Sequence, residues 1–72
     1  MANLSERLLQ LKKERGLLQK NIANGLGLAL RTYQYYESGE RKPDSGAIVA
    51  MCRYFGVSAD YLLGLKDEPE RR

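Results

Sequence analysis

Cations, amides and tyrosines are the side chains with which this sequence can act, and their chemistry is hydrogen bonding and charge pairing. The 72 residues include twelve Lys and Arg, five Tyr and no His. Without histidine, Ser-His and Cys-His nucleophile systems and His-ligated metal sites are impossible. The lone Cys52 excludes an internal disulfide and a thiolate zinc cluster, and it suits a reducing compartment. We therefore predict a protein that is not an enzyme and that needs no metal or cofactor.

The charge balance and the length of the chain limit the class of partner and the number of domains that we expect. Twelve basic against nine acidic residues give a net charge of +3, which permits a polyanionic partner without requiring one. A chain of this length forms one small domain, predicted over residues 1–65, and residues 66–72 have the charged composition of a flexible tail. We find no leader peptide or membrane-spanning segment in the pattern, so we expect a soluble, cytoplasmic protein without a membrane partner.

Glycines divide the chain into five short helical segments that must position these side chains. Helices are predicted at about Leu4 to Arg15, Gln19 to Leu26, Ala29 to Ser38, Ser45 to Phe55 and Ala59 to Leu63. The second and third segments are joined by a tight turn around Gly27, which is the pattern of a helix-turn-helix.

The predicted helices differ in how well their N-termini are capped. Asn3, Asp44 and Ser58 are good N-caps for the first, fourth and fifth helices, and Asn3 is followed by Glu6 at the spacing of a capping box. Leu18 and Ala29 stand at the cap positions of the second and third helices without a side-chain acceptor. Gly25 further weakens the second helix by about 1 kcal/mol.

One set of residues recurs at a characteristic spacing: Gly16, Leu17, Gln19, Ile22, Ala23, Leu26, Gly27, Leu28, Thr32, Glu37, Gly39, Arg41, Lys42, Pro43, Gly56, Val57, Ser58, Asp60, Leu62 and Leu63. The set covers about residues 4–64 and resembles the phage-repressor and Cro type of helix-turn-helix, often called Xre-like. The resemblance implies an all-α, compact five-helix, lambda-repressor-like DNA-binding domain. In such domains the second and third helices form the helix-turn-helix, and the third enters the major groove with its N-terminal residues leading.

The resemblance also assigns roles to individual positions. Those implied to point into the core are Leu8, Leu11, Leu17, Ile22, Ala23, Leu26, Leu28, Tyr33, Tyr36, Ile48, Met51, Cys52, Phe55, Val57 and Leu62. Those implied to meet base edges are Ala29, Leu30, Arg31, Gln34 and Tyr35. Gln19, Lys20, Arg41 and Lys42 are expected to contact phosphates, and Glu37 is expected to pair with a basic residue of the first helix, which on spacing is Lys12.

Several of these assignments leave alternatives open. The fork of Arg31 suits guanine O6 and N7, yet an exposed arginine also binds phosphate. Gln34 suits adenine, a phosphate or simply an exposed polar position, and Tyr35 either bonds a phosphate or covers neighbouring side chains. Ala29 and Leu30 are apolar where the family usually has polar residues, so they either contact a thymine methyl or weaken binding.

The function implied by the resemblance is sequence-specific binding of double-stranded DNA by a transcriptional regulator of the repressor type. One such domain contacts few base pairs, so we expect a homodimer on half-sites about one helical turn apart. The fifth helix, Leu9 and Leu65 are candidates for the dimer contact. The alternative is an antitoxin-like or other protein-interaction module with the same fold, and the apolar Leu18 and Leu30 favour it.

Overall fold

A computed structural model describes residues 3–65, and this part of the chain forms five helices. They are α1 (Leu4–Glu14), α2 (Gln19–Leu26), α3 (Leu30–Ser38), α4 (Ser45–Phe55) and α5 (Ala59–Leu62). The predicted five-helix, all-α architecture is confirmed. Arg15, Ala29 and Leu63 are cap residues rather than helical residues, so three predicted boundaries were one residue too long. The predicted tail, residues 66–72, lies outside the described residues.

The predicted N-caps of α1, α4 and α5 all form. The Asn3 side chain accepts a hydrogen bond from the Glu6 N–H at 2.8 Å, and Glu6 Oε1 accepts one from the Asn3 N–H at 3.2 Å. Asp44 and Ser58 cap α4 and α5 through their side-chain oxygens. These bonds satisfy backbone donors that a helix leaves without an intrahelical partner, and they fix where each helix begins.

The helices of the helix-turn-helix begin without a side-chain acceptor. Leu18 and Ala29 both have the extended backbone of an N-cap, but neither side chain can accept a hydrogen bond. At α2 half of a capping box forms. Asn21 Oδ1 accepts a hydrogen bond from the Leu18 N–H at 3.1 Å, but the Leu18 side chain has no oxygen to accept one in return. The turn between the two helices depends on Gly27, whose φ of 72° lies in the left-handed region that glycine adopts at little cost.

A single hydrophobic core joins all five helices. Its buried members are Leu8, Leu11, Ile22, Ala23, Tyr33, Met51, Phe55, Val57, Tyr61 and Leu62. Nine of these ten were predicted. The other six predicted positions are half-buried, and five of them pack against this core: Leu17, Leu26, Tyr36, Ile48 and Cys52.

Tyr61 is the core residue that the sequence analysis missed. Its ring packs under Arg7, whose guanidinium carbon lies 3.9 Å from the ring centroid, and Arg7 Nε donates to the Tyr61 carbonyl at 3.0 Å. Gln10 Nε2 also lies 3.3 Å from the Tyr61 hydroxyl. These contacts attach the short α5 to α1, and they explain why Arg7 is buried despite its charge.

Gly25 lies where α2 crosses α4. A Cβ atom added at this position would overlap Cε1 of the Tyr54 ring, far inside van der Waals contact. Glycine therefore allows the Tyr54 ring to pack directly against the α2 backbone. The low helix propensity of Gly25 is offset by this close approach of α2 and α4.

Candidate nucleic-acid interface

The predicted base-reading residues lie on α3 and its N-cap, and their exposure follows the helical period. Tyr33 and Glu37 are one turn apart and buried, whereas Arg31 and Gln34 are exposed. Arg31, Gln34 and Tyr35 line an open groove of about 500 Å³, to which Gln19 of α2 and Leu9 of α1 also contribute.

The other predicted contact residues are exposed but do not line this groove, and Arg41 and Lys42 border a separate one. Ala29 and Leu30 are exposed at the start of α3, and 43% of Leu30 is accessible. Lys20 is exposed at the first turn of α2, and Arg41 and Lys42 are exposed in the loop that follows α3. The exposed residues of α2, α3 and the following loop thus include cations, amides and apolar side chains.

Glu37 is the buried hub beneath this surface. Its Oε1 accepts hydrogen bonds from Lys12 Nζ at 2.7 Å and from Gln19 Nε2 at 2.9 Å. Burial alone would raise the pKa of Glu37, but the hydrogen bonds from Lys12 and Gln19, the adjacent Tyr33 hydroxyl and the charge of Lys12 outweigh it. The pKa of Glu37 consequently lies below its ordinary value, and the carboxylate is ionised at neutral pH.

Tyr33 lies against the same carboxylate. Its hydroxyl and Glu37 Oε2 are both buried and form no well-aligned hydrogen bond with another described group. Burial, followed by the hydrogen-bonding and charge influence of Glu37, raises the pKa of the Tyr33 phenol far above its ordinary value. Tyr33 is therefore a neutral donor, and the carboxylate is the acceptor available to it.

Gln19 links the buried hub to the exposed surface. While its Nε2 donates to Glu37, its Oε1 accepts a hydrogen bond from Gln34 Nε2 at 3.0 Å. The family resemblance assigned Gln19 to phosphate binding and did not indicate either of these bonds. The spacing of the family residues predicted that Lys12 pairs with Glu37, but it does not indicate how the amides of Gln19 and Gln34 are oriented.

Tyr35 supports Arg41 at the edge of the surface. The guanidinium carbon of Arg41 lies 4.4 Å from the Tyr35 ring centroid, and the Arg41 N–H donates to the Tyr35 carbonyl at 3.3 Å. A guanidinium stacked on an aromatic ring still points its N–H donors outward from its edge, where they can bind a further partner. This contact uses the face of the Tyr35 ring and leaves its hydroxyl unaffected, so it does not decide between the two alternatives for Tyr35.

Within residues 3–65, no group of three or more His, Cys, Asp or Glu side chains is arranged to hold a metal ion. No helix in the same part of the chain has the length and apolarity needed to cross a membrane.

The fold and this surface together define a helix-turn-helix domain of the phage-repressor type, as the sequence predicted. Residues 5–68 match the family described as Helix-turn-helix domain, and the chain belongs to this family.

Known proteins agree with this identification. The HTH-type transcriptional regulator YobD of Bacillus subtilis is 38% identical over 65 residues, which cover 90% of this chain and 58% of YobD. A transcriptional regulator from Listeria innocua has a similar crystal structure, with a TM-score of 0.82 and 40% identity over 97% of this chain and 65% of that one. The P22 c2 repressor, crystallised with a synthetic operator, has the same fold with a TM-score of 0.80, 22% identity and coverage of 88% of this chain and 96% of its own. The chain thus spans little more than half the length of the curated relative.

Proposed function

We propose that this chain binds double-stranded DNA in a sequence-specific manner and serves a transcriptional regulator of the repressor type. The observation that carries the proposal is the exposed face of α3, where Arg31 and Gln34 lie outside the core and share a groove with Tyr35, on whose ring Arg41 stacks. The family of the chain and the names of its relatives support the same function.

In the proposed complex, α3 enters the major groove and DNA occupancy is the mechanism. Arg31 and Gln34 read base edges, and Ala29 and Leu30 contact thymine methyl groups near the start of the helix. Lys20, Arg41 and Lys42 neutralise phosphates and set the register, with Gln19 at the same edge. The phosphate contacts provide most of the affinity, while the α3 side chains provide the sequence preference.

We further propose that two copies bind together in the cytoplasm. A single α3 of nine residues contacts few base pairs, so a useful operator needs two half-sites. Exposed apolar side chains that a second copy would cover include Leu9 and Leu65, which are 44% and 66% accessible.

A second candidate function is a protein-interaction module. It is favoured by Leu18 and Leu30, which are 59% and 43% accessible on the helices that would face DNA. Large exposed apolar side chains in such places are typical of protein contacts.

A salt titration separates the two candidates. Duplexes selected from a random pool are titrated with the protein at several salt concentrations, with an unselected duplex as the control. DNA binding should weaken steeply with salt, at a slope set by the number of phosphates neutralised. The absence of any selected sequence, or an affinity that does not change with salt, would refute the proposed function and favour the protein-interaction module.

A further inference from the structure

Four side chains are joined by hydrogen bonds: Lys12 and Gln19 both donate to the buried Glu37, and Gln34 at the exposed surface donates to Gln19. We propose that Glu37 and Gln19 are positioning residues that fix the amide orientation of Gln34 and so determine which base it prefers. This inference rests on the proposed function, because it concerns the base preference of the same surface.

The hydrogen-bonded series from Glu37 through Gln19 to Gln34 has a direction because its inner end is a carboxylate. An ionised carboxylate can only accept hydrogen bonds, so the Gln19 amide must turn its Nε2 toward Glu37 Oε1. The reversed Gln19 amide would place its own oxygen against the carboxylate, where two acceptors repel each other. Glu37 thereby decides which end of the Gln19 amide lies toward α3.

The same argument applies one residue further out. With Nε2 committed to Glu37, Gln19 presents Oε1 to Gln34, and Gln34 Nε2 donates to it at 3.0 Å. A reversed Gln34 amide would again bring two oxygens together. The buried charge therefore fixes the orientation of an amide that it does not touch.

The fixed orientation leaves Gln34 with a defined set of free groups. One N–H of Nε2 and the lone pairs of Oε1 remain for a base, and their relative placement is held by the bond to Gln19. A donor beside an acceptor on one amide edge matches adenine, which offers N7 as acceptor and N6–H as donor in the major groove. At a given position the fixed Gln34 amide can form this pairing with A·T or with T·A, but not with both.

The buried position of Glu37 makes the arrangement rigid. Glu37 is 5% exposed, Lys12 Nζ holds its carboxylate, and the Ser5 hydroxyl donates to its backbone carbonyl. The Glu37 carboxylate is therefore held in place before DNA binds. Gln34 is already oriented in the free protein and does not have to be ordered on binding.

The test compares base preference in four variants of the full chain. Gln34→Ala first identifies the base pair whose preference depends on Gln34. Affinities are then measured at pH 8 for the four duplexes that differ at this pair. Glu37→Gln and Gln19→Met should each reduce the preference at this pair about tenfold, as expected for loss of a bidentate contact, while preferences at other pairs persist.

Lys12→Met is the matched control, because it removes the ion pair but leaves the carboxylate that orients Gln19. It should lose stability and keep the base preference. Equal loss of preference in Lys12→Met and Glu37→Gln would assign the effect to general destabilisation and overturn the proposal. Unchanged preference in Gln19→Met would overturn it as well.

A second readout uses the free protein and does not depend on DNA. The side-chain amide resonances of Gln34 should shift in ¹H–¹⁵N spectra of folded Glu37→Gln, although Glu37 does not contact Gln34. An unshifted Gln34 amide in that spectrum refutes the series. If the wild-type protein selects no DNA sequence while this shift occurs, the proposed function fails and the hydrogen-bonded series stands.

Discussion

At the scale of single residues, Glu37 stabilises the positions of two neighbouring side chains. It neutralises the half-buried charge of Lys12 and accepts a hydrogen bond from Gln19. The sequence predicted the first contact because family spacing pairs Glu37 with the first helix. It could not predict the second, because the orientation of a glutamine amide depends on neighbours that are distant in the chain.

The lowered pKa of Glu37 predicts a specific dependence of stability on pH. Because the pKa lies below the ordinary value of 4.5 in the folded state, the unfolded chain binds the proton more readily. The stabilising contribution of Glu37 is thus fully present above that ordinary value and is lost as pH falls through the folded pKa. Glu37→Gln should be less stable at pH 7 by roughly 1–3 kcal/mol, since it weakens a part-buried charged hydrogen bond.

Urea unfolding at pH 7 and pH 3 tests this prediction. The wild-type protein should lose more stability between the two pH values than Glu37→Gln does. An equal loss in both proteins would mean that Glu37 does not carry this part of the pH dependence.

The exposed cations of the surface predict two kinds of binding defect. Arg31→Ala should abolish preference at one base pair, at about 1–3 kcal/mol of discrimination, because its fork is suited to guanine. Lys42→Ala should weaken binding to all sequences alike and reduce the salt slope by about one, because we propose that Lys42 contacts phosphate. Anisotropy titrations with a set of single base-pair variants measure both effects. If Arg31→Ala behaves like Lys42→Ala, Arg31 binds phosphate rather than a base.

At the scale of helices, α2 combines two features that weaken an isolated helix, an uncapped N-terminus and Gly25. The sequence predicted both as weaknesses. What it could not show is that Gly25 meets Tyr54, because contact between α2 and α4 depends on how the helices cross. A helix pattern describes the face of each helix but not the neighbour that lies on it.

Gly25→Ala should therefore destabilise the domain by roughly 1–3 kcal/mol through overpacking, although alanine has a higher helix propensity by about 1 kcal/mol. In a Tyr54→Ala background the ring is absent, and the same substitution should be neutral or stabilising. Urea unfolding of the two single variants and the double variant provides the cycle. Stabilisation by Gly25→Ala in the wild-type background would contradict the packing argument.

The uncapped N-termini of α2 and α3 predict the opposite effect. Leu18 and Ala29 already have extended backbone conformations, so a serine at either position can accept from the first turn without rearrangement. Leu18→Ser and Ala29→Ser should each add about 1 kcal/mol, and their combination should raise the Tm. Leu18→Ala is the matched control, because it removes the same apolar surface without adding an acceptor. If it raises the Tm as much as Leu18→Ser, capping is not the cause.

At the scale of the whole molecule, helical periodicity and glycine stops predicted the number, order and approximate bounds of the helices. The core positions were predicted from the family resemblance, which included Val57 and, in the short α5, Leu62. Tyr61 was not among them, because its burial depends on packing against Arg7 of α1 and the four residues of α5 are too few to show it as a periodic pattern. Contacts between distant elements were thus the main information that the sequence did not provide.

The size of the domain leads to the prediction for operator geometry. The described part of the chain measures 28 × 22 × 21 Å, and α3 has only nine residues, of which one face is exposed. If two copies bind together, their half-sites must lie on the same face, about 10 base pairs apart.

Inserting about five base pairs between the half-sites rotates one of them by half a turn and should lower affinity, whereas inserting about ten restores the phase. Titrations of the three duplexes, with a single half-site as the control, measure this effect. An affinity that does not depend on the phase of the half-sites would mean that each copy binds alone, and the proposed dimeric operator would then be wrong.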